Sequence, residues 1–373
     1  MDRPRVRDWG LTVGTAAPGK RNAITDVAGV RVGHSTLICG EGALQPGQGP
    51  VRTGVTVVLP HGDDLFRQKV RAAVYTINGY GKVCGFEQVR ELGLIESPIA
   101  LTNTLNVGLV ADALVQHVVR RNPEIGVTTS SVNVVVGETN DGYLNDLQGR
   151  HVRPEHVWAA IEAASPDAVA EGVVGAGTGT SCFGWKGGIG TASRVIPGGA
   201  DSFTIGALVQ TNFGRPEDLT ICGVPVGSHL RPPGADEWGR TEGGSVMIVL
   251  GTDAPLNSRQ LRRLCARAAA GLARTGSVYN HGSGDFVIAF STAGRVAHEP
   301  KGIIMNRPIL VDEAKLMRQV FPAVVECVEE AILNGLWRAR TLVGRDGHTL
   351  HALPLEEVAR LVDAGGRAGE VER

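Results

Sequence analysis

Ser245 follows two glycines and opens an apolar run, Gly243-Gly244-Ser245-Val246-Met247-Ile248-Val249-Leu250. A serine at the edge of a buried strand, behind a permissive glycine, is placed to attack its own preceding carbonyl. Breaking the Gly244–Ser245 bond would leave a hydroxyl and a free α-amine on one residue. Such an amine has a pKa near ~8 and accepts a proton close to neutral pH. Further on, HGSGDFVIAFST sets Ser283 and Asp285 at i and i+2 where another strand begins. On an extended chain those positions point the same way, so a hydroxyl and a carboxylate can together polarise a neighbouring nucleophile. Each pattern also has a plain structural reading: a strand-start serine, and a turn in which Asp285 bonds local backbone.

Three further polar segments accompany these. Glu138, Asn140, Asp141, Tyr143, Asn145 and Asp146 leave the strand-like run SVNVVVG without a break. Their carboxylates, amides and phenol suit capture of a small ammonium-bearing ligand, or form a solvated turn. Asn212 of TNFG follows FTIGALVQ; its amide can donate to an oxyanion or close an Asx-turn. In LTNTLNVG, Thr102 and Asn103 can support a site, while Thr104 or Asn106 caps the helix that follows.

The elements that must position these residues are short β-branched runs alternating with longer helical patterns. Strands are predicted over 28–37, 54–60, 131–137, 203–210, 245–251 and 285–291. Helices are predicted over 106–121, 258–274 and 312–337 from apolar residues at i, i+3, i+4 spacing. Asn257 with Gln260 resembles a capping box, Pro322 should kink or divide the last helix, and the tail from Gly365 should fray. Two Gly-rich stretches, 172–190 and 232–244, interrupt the pattern. GAGTGT in the first resembles a dinucleotide loop. Thr180 stands where a third Gly or Ala belongs, however, and no helical pattern follows, so the stretch reads as a tight segment where backbones approach closely.

Composition narrows the function. Among 373 residues, 37 Lys and Arg balance 38 Asp and Glu, so no electrostatic footprint for nucleic acid is present. No apolar run reaches the roughly 18 residues of a membrane span. The opening MDRPRVRDWG lacks the apolar stretch of a signal peptide, and the six Cys are scattered without a C-x-x-C pair. Together these features predict a cytoplasmic protein with reduced thiols. The ten His form no H-E-x-x-H or H-x-H pattern, and no metal site is expected.

Taken in order, ITDVAGVRVGHST, LTNTLNVG, GETNDGYLND, GTGTSCFGWKGGIGTASR, LVQTNFG, GGSVMIVLGTDAPL, RTGS, HGSGDFVIAFST, AILNGLW and GRDGH span nearly the whole chain. They resemble the L-aminopeptidase/D-esterase family of self-cleaving serine peptidases, which includes the DmpA type and the β-peptidyl aminopeptidases. The resemblance implies an α/β fold, a four-layer αββα sandwich similar to N-terminal-nucleophile hydrolases but with different connectivity. It implies one peptidase domain, 1–373, cleaved between Gly244 and Ser245 into an α part, 1–244, and a β part, 245–373. Ser245 would be the nucleophile, with Ser283 and Asp285 orienting and activating it. Asn212 would contribute to the oxyanion hole and Tyr143 would line the site. Glu138 would pair with the substrate's α-ammonium, with Asn103 beside it. The β-peptidyl branch carries Glu where this chain has Asp285. No cofactor is implied. The substrates would be small peptides, amino-acid amides or esters, and the αβ units would form a homo-oligomer, a tetramer or octamer.

Two rivals fit the same pattern less well. Ornithine acetyltransferase is similar in fold and self-cleavage but uses Thr as the new N-terminus, where this chain has Ser245. A non-enzymatic binding protein of the same fold would have no use for Ser245, Ser283 and Asp285 together.

Overall fold

The computed structural model describes residues 3–198, 202–234 and 243–371. Most of the second Gly-rich stretch, 235–242, therefore lies outside the described residues.

Two sheets stack face to face. The first has four strands: β1 (Arg31–Cys39), β2 (Val51–Leu59), β5 (Ile99–Asn103) and β6 (Val135–Thr139), in the order β1-β2-β5-β6. The second has six: β3 (Gln68–Gly79), β4 (Leu94–Ile95), β9 (Ile189–Pro197), β10 (Ser202–Asn212), β11 (Gly243–Thr252) and β12 (Gly282–Ala297), in the order β4-β3-β12-β11-β10-β9. Two short pairs, β7 (Ser181–Cys182) with β8 (Trp185–Lys186) and β13 (Leu342–Val343) with β14 (Thr349–Leu350), lie apart.

Helices cover both outer faces. After the short α1 (Phe86–Leu92), α2 (Val107–Arg121) and α3 (Pro154–Glu162) cover the smaller sheet. On the larger sheet lie α4 (Ser258–Arg274) and α5 (Glu313–Arg338); α6 (Leu355–Val371) adds to that layer. The four-layer αββα sandwich predicted above is the observed architecture. Strand β2 is buried at every residue but its last, its polar Arg52, Thr53 and Thr56 included.

The alternation of side chains sorts the cores. Along β11, Met247 and Val249 pack between the sheets, while Val246, Ile248 and Leu250 meet the helices. By that period Ser245 falls on the inter-sheet face and Gly244 on the helix face. Each sheet holds one parallel pair, which needs a helical crossover: β5–α2–β6 and β11–α4–β12.

Helix α4 spans the predicted residues, with Asn257 and Gln260 closing a reciprocal cap. Helix α5 is not divided at Pro322, which is exposed while most of the residues after it are packed. Helix α6 extends through Gly365 to Val371. The strand predicted at 131–137 is β6, displaced toward 139, because the N–H groups of Asn133 and Val135 are taken by Glu96 and Ser97 side chains.

Candidate active site

Ser245 is the third residue of β11 and is buried. Antiparallel pairing sets it opposite Asn212 at the end of β10. Its Oγ accepts two hydrogen bonds, from Asn212 Nδ2 at 3.2 Å and from the Asn140 backbone N–H at 3.1 Å. Both partners are donors, so neither takes the hydroxyl's own proton. The Asn212 amide is itself oriented: its Oδ1 accepts from the N–H and the hydroxyl of Ser181, at 3.2 and 3.3 Å.

Ser283 and Asp285 begin β12, alongside β11 in parallel register, with Gly244 opposite Ser283 and Ser245 opposite Gly284. The Ser283 hydroxyl donates to Asp285 Oδ1 at 2.6 Å. The pair therefore closes with Asp at the third position, although its side chain is one methylene shorter than Glu. A Cβ on Gly244 would lie 2.9 Å from Ser283 Oγ, so the pair stands on the Gly244 face of the strand. The two residues adjoin the Gly244–Ser245 peptide bond, on the opposite face from the Ser245 side chain. Burial raises the Asp285 carboxyl to about 6, although the Ser283 hydrogen bond pulls it down. Asp285 Oδ2 is buried without a partner.

Glu138 lies at the end of β6, buried, and accepts from the Lys82 N–H at 3.0 Å. Lys82 Nζ donates to Thr104 Oγ1 at 2.9 Å. Burial raises the Glu138 carboxyl; the Lys82 N–H, the Lys82 charge and Thr104 oppose that shift. A Cβ on Gly81 would sit 3.2 Å from both Glu138 Oε1 and Gly284 Cα, which brings Glu138 close to the strand that flanks Ser245.

Tyr143 stacks on His348, with ring centroids 4.5 Å apart and planes 9° from parallel. Asn103 is buried, and its Nδ2 donates to Thr53 Oγ1 at 2.8 Å and Asn106 Oδ1 at 3.1 Å. Asn106 stands before α2, but its side chain makes no cap; its Nδ2 donates instead to the Val152 carbonyl at 2.7 Å. The structure thus gathers Asn212, Asn140 and Ser245 on one face and Ser283 and Asp285 on the other, with Glu138 nearby. Asn103 bonds to Thr53 and Asn106 in the surrounding shell, and Tyr143 stacks on His348.

Gln210, Ser181 and Lys82 escape the sequence reading. Gln210 shares the inter-sheet face with Asn212, two residues on, and its Nε2 bridges to the Thr102 carbonyl, Thr139 Oγ1 and the Ala176 carbonyl at 2.7–3.1 Å. Its sequence signal is an amide directly after the apolar run Ile205-Gly206-Ala207-Leu208-Val209.

A model of peptidase family S58 matches residues 22–350. The chain is 42% identical over 371 residues to the beta-peptidyl aminopeptidase BapA of Sphingosinicella microcystinivorans, covering 96% of this chain and 92% of that one. Among solved structures, the PH0078 protein of Pyrococcus horikoshii OT3 superposes with a TM-score of 0.91 at 50% identity, over 97% of this chain and 99% of that one. The L-aminopeptidase D-Ala-esterase/amidase of Ochrobactrum anthropi, described as a prototype serine aminopeptidase and a variant of the Ntn hydrolase fold, gives 0.89 at 38% identity. That match covers 98% of this chain and 99% of the other. Among the described residues no helix is long and apolar enough to cross a membrane.

Proposed function

The chain belongs to peptidase family S58 and is a hydrolase of the aminopeptidase class, and we propose that it matures by cutting itself between Gly244 and Ser245. Ser245 Oγ bonds to the Gly244 carbonyl carbon, the hydroxyl proton passes to the Ser245 nitrogen, and the C–N bond breaks to leave an ester. Water hydrolyses the ester to a Gly244 carboxylate and a free α-amine on Ser245. The parts 1–244 and 245–373 remain one folding unit, because β10 of the first part pairs with β11 from Ser245 onward in the second.

The mature enzyme removes N-terminal residues from small peptides, amides and esters. The neutral α-amine takes the hydroxyl proton, Ser245 Oγ attacks the substrate carbonyl, and the leaving amine or alcohol departs with that proton. Water then releases the amino acid. Asn212 and the Asn140 N–H offer donors where negative charge develops. Ser283 and Asp285, on the Gly244 side, hold and tune the new amine. Glu138 receives the substrate's ammonium, Asn103 fixes the turn behind it, and Tyr143 lines the approach.

The observation that carries this reading is the placement of Ser245: two donors on its hydroxyl, and behind it a glycine lying against Ser283. We also propose that the αβ units associate into homo-oligomers. The run 303–311 supports this, since Ile303, Ile304, Met305, Ile309 and Val311 are all well exposed on one connecting loop.

Denaturing electrophoresis with N-terminal sequencing tests the proposal. Two fragments are expected, the second starting at Ser245, and Ser245→Ala should remain one inactive chain against amino-acid p-nitroanilides and amides. Cleavage elsewhere, or unchanged cleavage and turnover in Ser245→Ala, would overturn it.

A further inference from the structure

The Gly-rich segment 172–190 contains a single charged side chain, Lys186, and that side chain is wholly buried. Its Nζ donates to three backbone carbonyls: Gly177 at 3.1 Å, Thr180 at 2.7 Å and Gly187 at 2.8 Å. One ammonium thus satisfies all three of its hydrogens on one loop and draws the two ends of that loop together. A buried ammonium costs several kcal/mol of desolvation, and an apolar side chain would fill the space without that cost.

The loop so held carries Ser181, whose N–H and hydroxyl fix the oxygen of the Asn212 amide. With that oxygen engaged, Nδ2 must point the other way, onto Ser245 Oγ. The loop also runs against Asp141: a Cβ on Gly179 would lie 2.8 Å from the Asp141 Cβ. Asp141 is buried, and its Oδ1 accepts from Asn145 Nδ2 at 3.0 Å. Burial brings the Lys186 ammonium down to about 7 against the pull of the Asp141 charge, and burial raises the Asp141 carboxyl to about 7 against hydrogen bonds from Thr53 and Asn145. Asp141 immediately follows Asn140, whose N–H is the second donor on Ser245. The loop held by Lys186 therefore orients one donor through Ser181 and packs against the residue that follows the other.

We propose that Lys186 is a positioning residue for the reaction, its buried ammonium fixing the loop that aims Asn212 and that packs against Asp141 beside the Asn140 donor. This rests on the reading of Ser245 as nucleophile. Misplacing a reacting or stabilising group by about 1 Å can cost on the order of 100-fold in rate.

Lys186→Met keeps the length and removes the charge. With kcat referred to the cleaved fraction seen by electrophoresis, it should lower kcat by about 10- to 100-fold and leave KM within about threefold. A merely structural lysine would act independently of Asn212, so the decisive readout is a double-mutant cycle. In an Asn212→Ala background, Lys186→Met should cost several-fold less than in the wild type, because one donor it orients is already gone. Equal costs in both backgrounds, or an unchanged kcat, would overturn the proposal. Should Lys186→Met fail to accumulate, Asp141→Asn keeps the shape and removes the other charge. Its kcat must fall with KM unmoved, and a wild-type kcat overturns the inference. Active Ser245→Ala would instead sink the nucleophile reading, whereas an inactive Ser245→Ala beside a wild-type Lys186→Met sinks only this one.

Discussion

The two crossover units, β11–α4–β12 and β5–α2–β6, share a local topology but present their polar residues from opposite strand ends. In the first, Ser245, Ser283 and Asp285 lie within the first residues of their strands. In the second, Asn103, Glu138 and Thr139 lie at the last. The stacked sheets bring these ends together: Gln210 spans from the larger sheet to Thr102 and Thr139, and Asn140 reaches Ser245. Under the proposed function, a nucleophile that must acquire its own amine belongs at a strand's beginning. There the preceding bond can break while β11 keeps its pairing with β10 from Ser245 onward. A carboxylate that only receives a ligand needs no such freedom. It sits best at a strand exit, where burial and a neighbouring backbone N–H set its charge. The first unit should therefore govern kcat and processing, the second KM.

The sharpest break of that comparison is at Asp285. Asp285→Asn and Ser283→Ala should each lower kcat by about 10²–10⁴-fold, and the double variant should be little worse than the poorer single. In the wild type, kcat should fall as pH drops through about 6, where the Asp285 carboxyl takes up its proton. Stability should run the other way. Its pKa is raised above the unfolded value of ~3.9, so the folded state binds that proton more tightly, and the contribution is lost as pH rises from about 4 through 6. Asp285→Asn should thus melt no lower than the wild type at neutral pH. A large drop in melting temperature with near-normal kcat would assign the pair to the scaffold.

Much of the first unit was legible because its signals are local. The i, i+2 spacing of Ser283 and Asp285 sets them on one side of a strand, and a capping box marks the start of α4. The face on which the pair sits was not legible. That depends on the register between β11 and β12, which only the packed sheet defines; it turns Ser283 toward Gly244 and the Gly244–Ser245 bond rather than toward the Ser245 hydroxyl. β3 was missed because QKVRAAVYTING mixes charges with apolar residues, and its strand character comes from pairing along β12. At Pro322 a local rule predicts a kink or a division; the helix is not divided, since burial of the turns that follow and solvent at Pro322 itself offset the lost hydrogen bond. Lys186 is invisible to spacing, since a lone lysine among glycines announces neither burial nor three carbonyl partners.

In the second unit, Glu138→Gln should raise KM for free-amine substrates by roughly 10- to 100-fold, the equivalent of losing a charge-assisted pair of about 1.5–3 kcal/mol. Self-cleavage and kcat should change little. Wild-type turnover of N-acetylated and free-amine substrates at equal rates would show that the carboxylate reads no ammonium.

The smallest effect on activity is expected at Asn103, which separates holding a ligand from holding the turn that holds it. Its amide joins Thr53 and Asn106 in a buried position, and its Oδ1 finds no partner. Asn103→Ala leaves the Thr53 hydroxyl and the Asn106 oxygen short of a donor, which costs about 1–3 kcal/mol for buried groups. Most of that should appear as a lower melting temperature. KM should rise only a few-fold, because Glu138 is fixed separately by the Lys82 N–H. Kinetics and thermal melting on the same preparation decide it. If Asn103→Ala raised KM as far as Glu138→Gln with an unchanged melting temperature, Asn103 would touch the substrate itself. The recognition unit would then extend from the end of β6 across to the end of β5.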